Sequence, residues 1–187
     1  MIIEQKMELD IEHSITVKPA QMADYNDVER FYCELIDSMH DAEFKPEWEM
    51  GVYPTEQFLR DSIKERTLLL AHLGNNLVGI MILNHDCSPE YESVNWQVDA
   101  KKSEVMVIHT LGVSQAHQGK GIARQMVSIA IEMCKKGAIK AIRLDVLKKN
   151  IPAAKLYLSL GFQCIATVKM YYEDTGLADF QLYELVL

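Results

Sequence analysis

Apolar residues recur along this 187-residue chain with two periods, and the switches between those periods mark out its elements. Residues 14–19 alternate as a short strand does and stop at Pro19. Tyr25, Val28, Phe31, Tyr32, Leu35, Ile36 and Met39 share one face of a helix that starts near Asp24 or Asn26. Residues 41–54 have no clean period and read as an irregular loop carrying Phe44, Trp48 and Tyr53. Thr55 caps a second helix running to about Arg66, with Glu56 early and Lys64 and Arg66 late, as the helix dipole favours. Residues 67–72 and 77–83 are apolar strands joined by Gly74-Asn75-Asn76, a hairpin signal. Residues 84–102 are polar and give no assignment. A strand over 104–113 follows, then a helix in which Ile122, Ala123, Met126, Val127, Ala130, Met133 and Cys134 recur at three and four. Residues 141–147 are a strand, Asn150 opens a helix, and 163–172 with 180–187 form a hairpin around 173–179.

The order is therefore β, α, α, β, β, β, α, β, α, β, β, without internal repeats or linkers, which predicts one domain over residues 1–187. Strands alternating with helices in the second half imply a parallel pair, and the hairpins imply antiparallel neighbours. The expected class is α/β with a mixed sheet.

A net charge of -8 argues against a nucleic-acid partner, which would need clustered Lys and Arg, and modestly favours a cationic one. Cys33, Cys87, Cys134 and Cys164 lack metal-ligand spacing, and His72, His85 and His117 form no metal pattern, so free, mostly buried thiols and no metal are expected. No apolar run approaches the roughly 20 residues that cross a bilayer, and the amino terminus does not read as a signal peptide. A cytoplasmic protein without membrane partners is expected.

The stretch around the third helix carries the chemistry. An apolar strand, the polar turn Ser114 to His117, and then Gln118-Gly119-Lys120-Gly121 open into that helix. Helix starts leave backbone N–H groups without partners and carry roughly half a positive charge, so an anion is welcome there. Gly119 and Gly121 let a pyrophosphate approach the backbone, and Lys120 and Arg124 add charge at the rim.

Gln118-x-x-Gly121-x-Ala123, after Leu111-Gly112-Val113, resembles the acyl-CoA signature of the GNAT superfamily of N-acetyltransferases. The segment from Asn150 through Ala153, Leu156 and Tyr157 to Gly161-Phe162 is similar to that family's Asn-x-x-Ala-x-x-Leu-Tyr-x-x-x-Gly-Phe helix at every named position. The resemblance implies the acyl-CoA N-acyltransferase fold: a mixed, mostly antiparallel sheet with a splayed parallel strand pair and helices on both faces. It implies acetyl-CoA as co-substrate, with the backbone of Leu111, Gly112 and Val113 pairing along the pantetheine arm. Gln118, Gly119, Lys120, Gly121, Ile122, Ala123 and Arg124 would wrap the pyrophosphate, and Asn150 would bind the cofactor or a water beside it, besides capping its helix.

Acetyl transfer to an amine requires a base for the attacking nitrogen and an acid for the departing thiolate. Tyr157 stands at the family position for the acid, and a phenol with a pKa of about 10 is protonated at neutral pH. For the base, His109 lies four residues before Val113, hence on the strand face of Leu111 and Val113. Glu104, Glu43 and Glu49 compete with it, and Trp48, Tyr53, Tyr91 and Trp96 are candidate walls for an acceptor.

The expected function is N-acetyl transfer from acetyl-CoA to a primary amine, on a small molecule, a peptide or a protein. The alternative is a catalytically silent acyl-CoA-binding regulatory module. A dinucleotide-binding domain would need Gly-x-Gly-x-x-Gly, which the spacing does not supply. The family allows a homodimer, for which the residues give no interface signal.

Overall fold

A computed structural model of the chain describes residues 14–187; the expectations for residues 1–13 lie outside them. Its strands are β1 (Thr16–Pro19), β2 (Leu68–Leu73), β3 (Asn76–Asn84), β4 (Val105–Val113), β5 (Ala141–Leu147), β6 (Gln163–Tyr172) and β7 (Gly176–Val186). They form one sheet in the order β1-β2-β3-β4-β5-β7-β6. Every neighbouring pair is antiparallel except β4 and β5. The helices are α1 (Tyr25–Ser38), α2 (Glu56–Lys64), α3 (Ile122–Lys136) and α4 (Ile151–Ser159).

Alternation along the strands sends side chains to opposite faces, and each face carries its own helices. Leu68 and Leu70 of β2, with Ile80 and Ile82 of β3, pack under Val28, Tyr32 and Leu35 of α1 and Leu59 and Ile63 of α2. Leu69 and Ala71, with Met81 and Ile108, pack instead against Ile122, Met126, Val127 and Ala130 of α3. The caps follow the sequence: Thr55 Oγ1 accepts from the Phe58 N–H at 3.1 Å, and Asn150 Oδ1 from the Ala153 N–H at 3.3 Å. Of residues 84–102, unassigned from their pattern, Asn84 ends β3 and the rest are loops and short helical turns. Their Tyr91, Val94 and Trp96 cover Val107, Leu147, Met170, Phe180 and Leu182.

Two features position the site. First, β4 and β5 pair only over Val105–Val107 and Ala141–Arg143 and then part, leaving one edge of β4 without a strand among the described residues. Second, β4 bulges. Ile80 opposes Gly112 while Ile82 opposes His109, so β4 holds an extra residue, and Thr110 takes φ 47°. A bulge bends its strand and raises its twist, which suits the parting from β5. The hydroxyl of Tyr32, wholly buried on α1, donates to the Thr110 carbonyl at 2.8 Å and fixes the bulge.

The last strand begins at Gly176, four residues before the sequence suggested. Leu177 pairs with Tyr171 and Asp179 with Lys169, whose side chains form an ion pair at 3.1 Å. Those pairings extend the ladder through a stretch that reads as turn. The expectation of mostly buried thiols is also corrected: Cys134 is buried and Cys33 half-buried, whereas Cys87 and Cys164 are exposed.

Candidate active site

The parted ends of β4 and β5 enclose a cleft of about 750 Å³. Its lining includes residues 108–113 of β4, 145–147 of β5, the start of α3 and one side of α4. Apart from Lys120, every residue expected to hold the cofactor lines it.

Gln118 to Gly121 form a loop before α3, not its first turn. Gly119 and Gly121 take φ 75° and 79°, a conformation that glycine adopts without strain, and open space surrounds both positions. No side chain caps the helix, so its first N–H groups face the cleft without that partner. The Gln118 side chain instead donates to the Val113 carbonyl at 3.1 Å, tying the loop to β4. Arg124 donates to Ser159 Oγ at 2.6 Å and links α3 to α4. A bare helix start, an unpaired strand edge and an elongated cleft between them fit an acyl-CoA.

Tyr157 of α4 lines this cleft. Its ring packs edge-on against Phe162 at 5.4 Å, and no described residue hydrogen-bonds its hydroxyl. Burial, and then the nearby Asp145 carboxylate, raise its pKa well above the phenol value, so the hydroxyl keeps its proton.

His109 also lines the cleft, but not on the face expected. Ile108 and Leu111 both belong to the α3 side, and the extra residue at Thr110 turns His109 to the α2 side, where its ring meets Phe58 at 6.4 Å. Counting by twos along the strand fails across a bulge. His109 Nε2 lies 3.0 Å from Asn84 Oδ1 and 3.1 Å from the Asp86 carbonyl, so Nε2–H donates and Nδ1 is the accepting atom. Burial pulls its pKa down to about 4, against the smaller upward pull of Asp86.

The carboxylates proposed to compete with His109 do not line the cleft. Glu104 sits at the opposite end of β4, paired with Lys140 at 3.0 Å and accepting the Lys101 N–H. Glu43 and Glu49 are exposed. Of the four aromatic candidates, Trp48 and Tyr53 line the cleft. Tyr91 and Trp96 stand behind it, the Trp96 indole donating to the Tyr91 carbonyl at 2.9 Å.

The cleft also holds residues that sequence reasoning missed. Asp145 of β5 lies on its wall and accepts the Tyr91 hydroxyl at 2.9 Å and the Tyr172 hydroxyl at 3.4 Å. Burial raises its pKa, opposed by those two hydrogen bonds. Asp174 and Thr175, in the turn between β6 and β7, also line it, as do Tyr172, Tyr53, Trp48 and Phe44. The one available signal for Asp145 was a charge inside the apolar strand Ala-Ile-Arg-Leu-Asp-Val-Leu.

Residues 33–162 match the family model described as the acetyltransferase (GNAT) family. The chain belongs to the acetyltransferase (GNAT) family. Membership places it among the acetyl-CoA-dependent N-acyltransferases as a class. Over 69 residues it is 35% identical to the N-alpha-acetyltransferase RimI of Mycobacterium tuberculosis, a match covering 37% of this chain and 42% of that one. It is 24% identical over 155 residues to streptothricin acetyltransferase of Escherichia coli, covering 79% of each. Among solved structures, yncA of Salmonella typhimurium, solved with its cofactor acetyl-CoA, superposes with a TM-score of 0.68 at 18% identity, over 93% of this chain and 94% of that one. That likeness extends the shared fold to nearly all the chain, including the amino-terminal half that carries no motif.

Proposed function

We propose that this protein transfers an acetyl group from acetyl-CoA to a primary amine, with Tyr157 as the acid and Asp145 as the base. The observation that carries the reading is the cleft itself. It joins an uncapped helix start and a free strand edge to a protonated phenol and a partly buried carboxylate. Acetyl-CoA supplies the acyl group as a thioester. Leu111, Gly112 and Val113 offer the edge along which its arm would pair, and Gly119 to Arg124 the amides and charge for its diphosphate. Asn150 flanks the same wall.

The amine arrives as an ammonium and must lose a proton before its nitrogen can form the new C–N bond. Asp145 is the better acceptor, because burial raises the proton affinity of a carboxylate while it lowers that of an imidazole. When the C–S bond breaks, the thiolate takes the Tyr157 proton. His109 is the second reading for the base, through Nδ1, which its Nε2 contacts leave as the free acceptor.

Thiol release from acetyl-CoA across an amine panel tests the proposal. Tyr157→Phe should lower kcat by about 10²–10⁴-fold, the range for a positioned acid, while calorimetry finds acetyl-CoA binding unchanged. Binding without turnover on any amine would show the silent regulatory module instead.

A further inference from the structure

We propose that Tyr91 is a positioning residue for Asp145: its hydroxyl holds Oδ2 in place and leaves Oδ1 to take the proton of the attacking amine. This rests on the reading of Asp145 as the base and deepens it.

Asp145 of β5 is half-buried on the cleft wall, and its two oxygens are not alike. The Tyr91 hydroxyl donates to Oδ2 at 2.9 Å, whereas the Tyr172 hydroxyl stands 3.4 Å from both oxygens. Of these two donors, only the longer contact reaches Oδ1. A carboxylate free to turn about its Cβ–Cγ bond offers an incoming N–H no fixed direction, and one pinned at a single oxygen does.

The parts that hold Tyr91 are anchored on the same strand as the base. Tyr91 is buried, its ring packs on Trp96 at 5.3 Å, and the Trp96 indole donates back to the Tyr91 carbonyl. Arg143 stands two residues before Asp145, hence on the same face of β5. Its guanidinium lies over the Trp96 ring at 4.2 Å and donates to the Val98 carbonyl at 3.0 Å. It also pairs at 2.9 Å with Glu184, which is wholly buried and accepts the Gln97 N–H at 2.7 Å. An interior carboxylate is tolerated only with such partners, so residues 96–98 cannot lift without stranding Glu184. Ser88, earlier in the same segment, meets the Tyr172 hydroxyl at 3.1 Å. Residues 88–98 therefore fix both donors to Asp145.

Burial pushes the Asp145 carboxyl up, and the Tyr91 hydroxyl pulls it back more than the Tyr172 hydroxyl does. The other groups that face it are Tyr172 of β6, Tyr53 of the 41–54 loop and Tyr157 of α4, all kept protonated by burial, and Glu90 beside Tyr91, which opposes ionisation. Leu182 of β7 pairs with it, and His109 and Asp174 line the same cleft. Loss of the Tyr91 hydroxyl thus raises the proton affinity of the base.

The test reads Asp145 itself, by carbon-13 NMR of its labelled side-chain carboxyl on the full chain saturated with CoA, with Asp145→Asn to assign the signal. Tyr91→Phe keeps the ring against Trp96 and removes only the hydroxyl. The titration should move up by about one pH unit, tenfold in proton affinity, the lower worth of one hydrogen bond to a charged group. The rising limb of kcat/KM against pH, taken with acetyl-CoA and an amine that is turned over, should move up by the same amount. Trp96→Phe, which removes the N–H on the Tyr91 carbonyl, should move both in the same direction by less. Ser93→Ala, which removes the hydroxyl bonded to the Glu90 carbonyl in the same segment, should move neither.

An Asp145 signal unmoved in Tyr91→Phe, or moved as far in Ser93→Ala, would overturn the inference. If Tyr91→Phe does not fold, an unmoved signal in Trp96→Phe overturns it instead. A signal that moves while the limb stays put would uphold the hold of Tyr91 on Asp145 and overturn Asp145 as the base, so the two failures can be told apart.

Discussion

Replacing Thr110 by glycine should stabilise this protein, the reverse of what glycine does in an ordinary strand. Thr110 sits at φ 47°, where the Cβ of an L-residue crowds the backbone at a cost of roughly 1–2 kcal/mol. Its buried hydroxyl lacks a partner among the described residues, which adds about 1–3 kcal/mol. Glycine removes both. Against this, it loses a buried methyl, about 0.8 kcal/mol, and gives the unfolded chain freedom worth roughly 0.5–1 kcal/mol. The balance favours Thr110→Gly by about 2 kcal/mol, or a rise in Tm of about 4–8 °C at this chain length. The Tyr32 hydrogen bond survives, because its acceptor is the backbone carbonyl. Thr110→Val separates the causes: it keeps the strained backbone and removes the hydroxyl, so it should recover only that part. Urea unfolding at constant m measures both variants. Destabilisation of both by 1 kcal/mol or more would show that the bulge is unstrained and its hydroxyl satisfied.

Two further outcomes follow from the same geometry. His109 titrates near 6.5 in the unfolded chain and at about 4 in the folded one, so the unfolded state binds the proton first as pH falls. The stability this shift concerns is intact above pH 6.5 and is lost between there and pH 4, on the order of 3 kcal/mol. His109→Gln should flatten that part of the Tm–pH curve, and superimposable curves would refute the shift. Gly112→Ala would bring a Cβ to 2.5 Å from Leu35 Cδ2. Overpacking of that kind costs about 1–3 kcal/mol and pushes the β4 edge, so both the urea midpoint and the affinity for acetyl-CoA should fall. Unchanged values for either would show that α1 yields freely.

What the sequence disclosed was what its local spacing encodes. The glycine loop before Ile122, the Asn150 cap and the Tyr157 position each lie within about a dozen residues of their partners, and the structure places them in one cleft. His109 was found but assigned to the wrong face, because a bulge is a backbone event at Thr110 that the side-chain pattern does not announce. Asp145 was missed for a different reason. Its donors, Tyr91 and Tyr172, stand 54 and 27 residues away, and only the folded sheet brings them to it. Glu104 was over-read for the opposite cause: it shares a strand with the cleft but stands at the closed end.

The three residue pairs that join β4 to β5 have a consequence for the molecule as a mechanical object. They are a narrow backbone seam between β1 to β4 and β5 to β7, which α3 and its core also bridge. A molecule wedged into the divergence touches both sides at once. It therefore resists their separation, and slow amide exchange along the seam would report occupancy of the wedge.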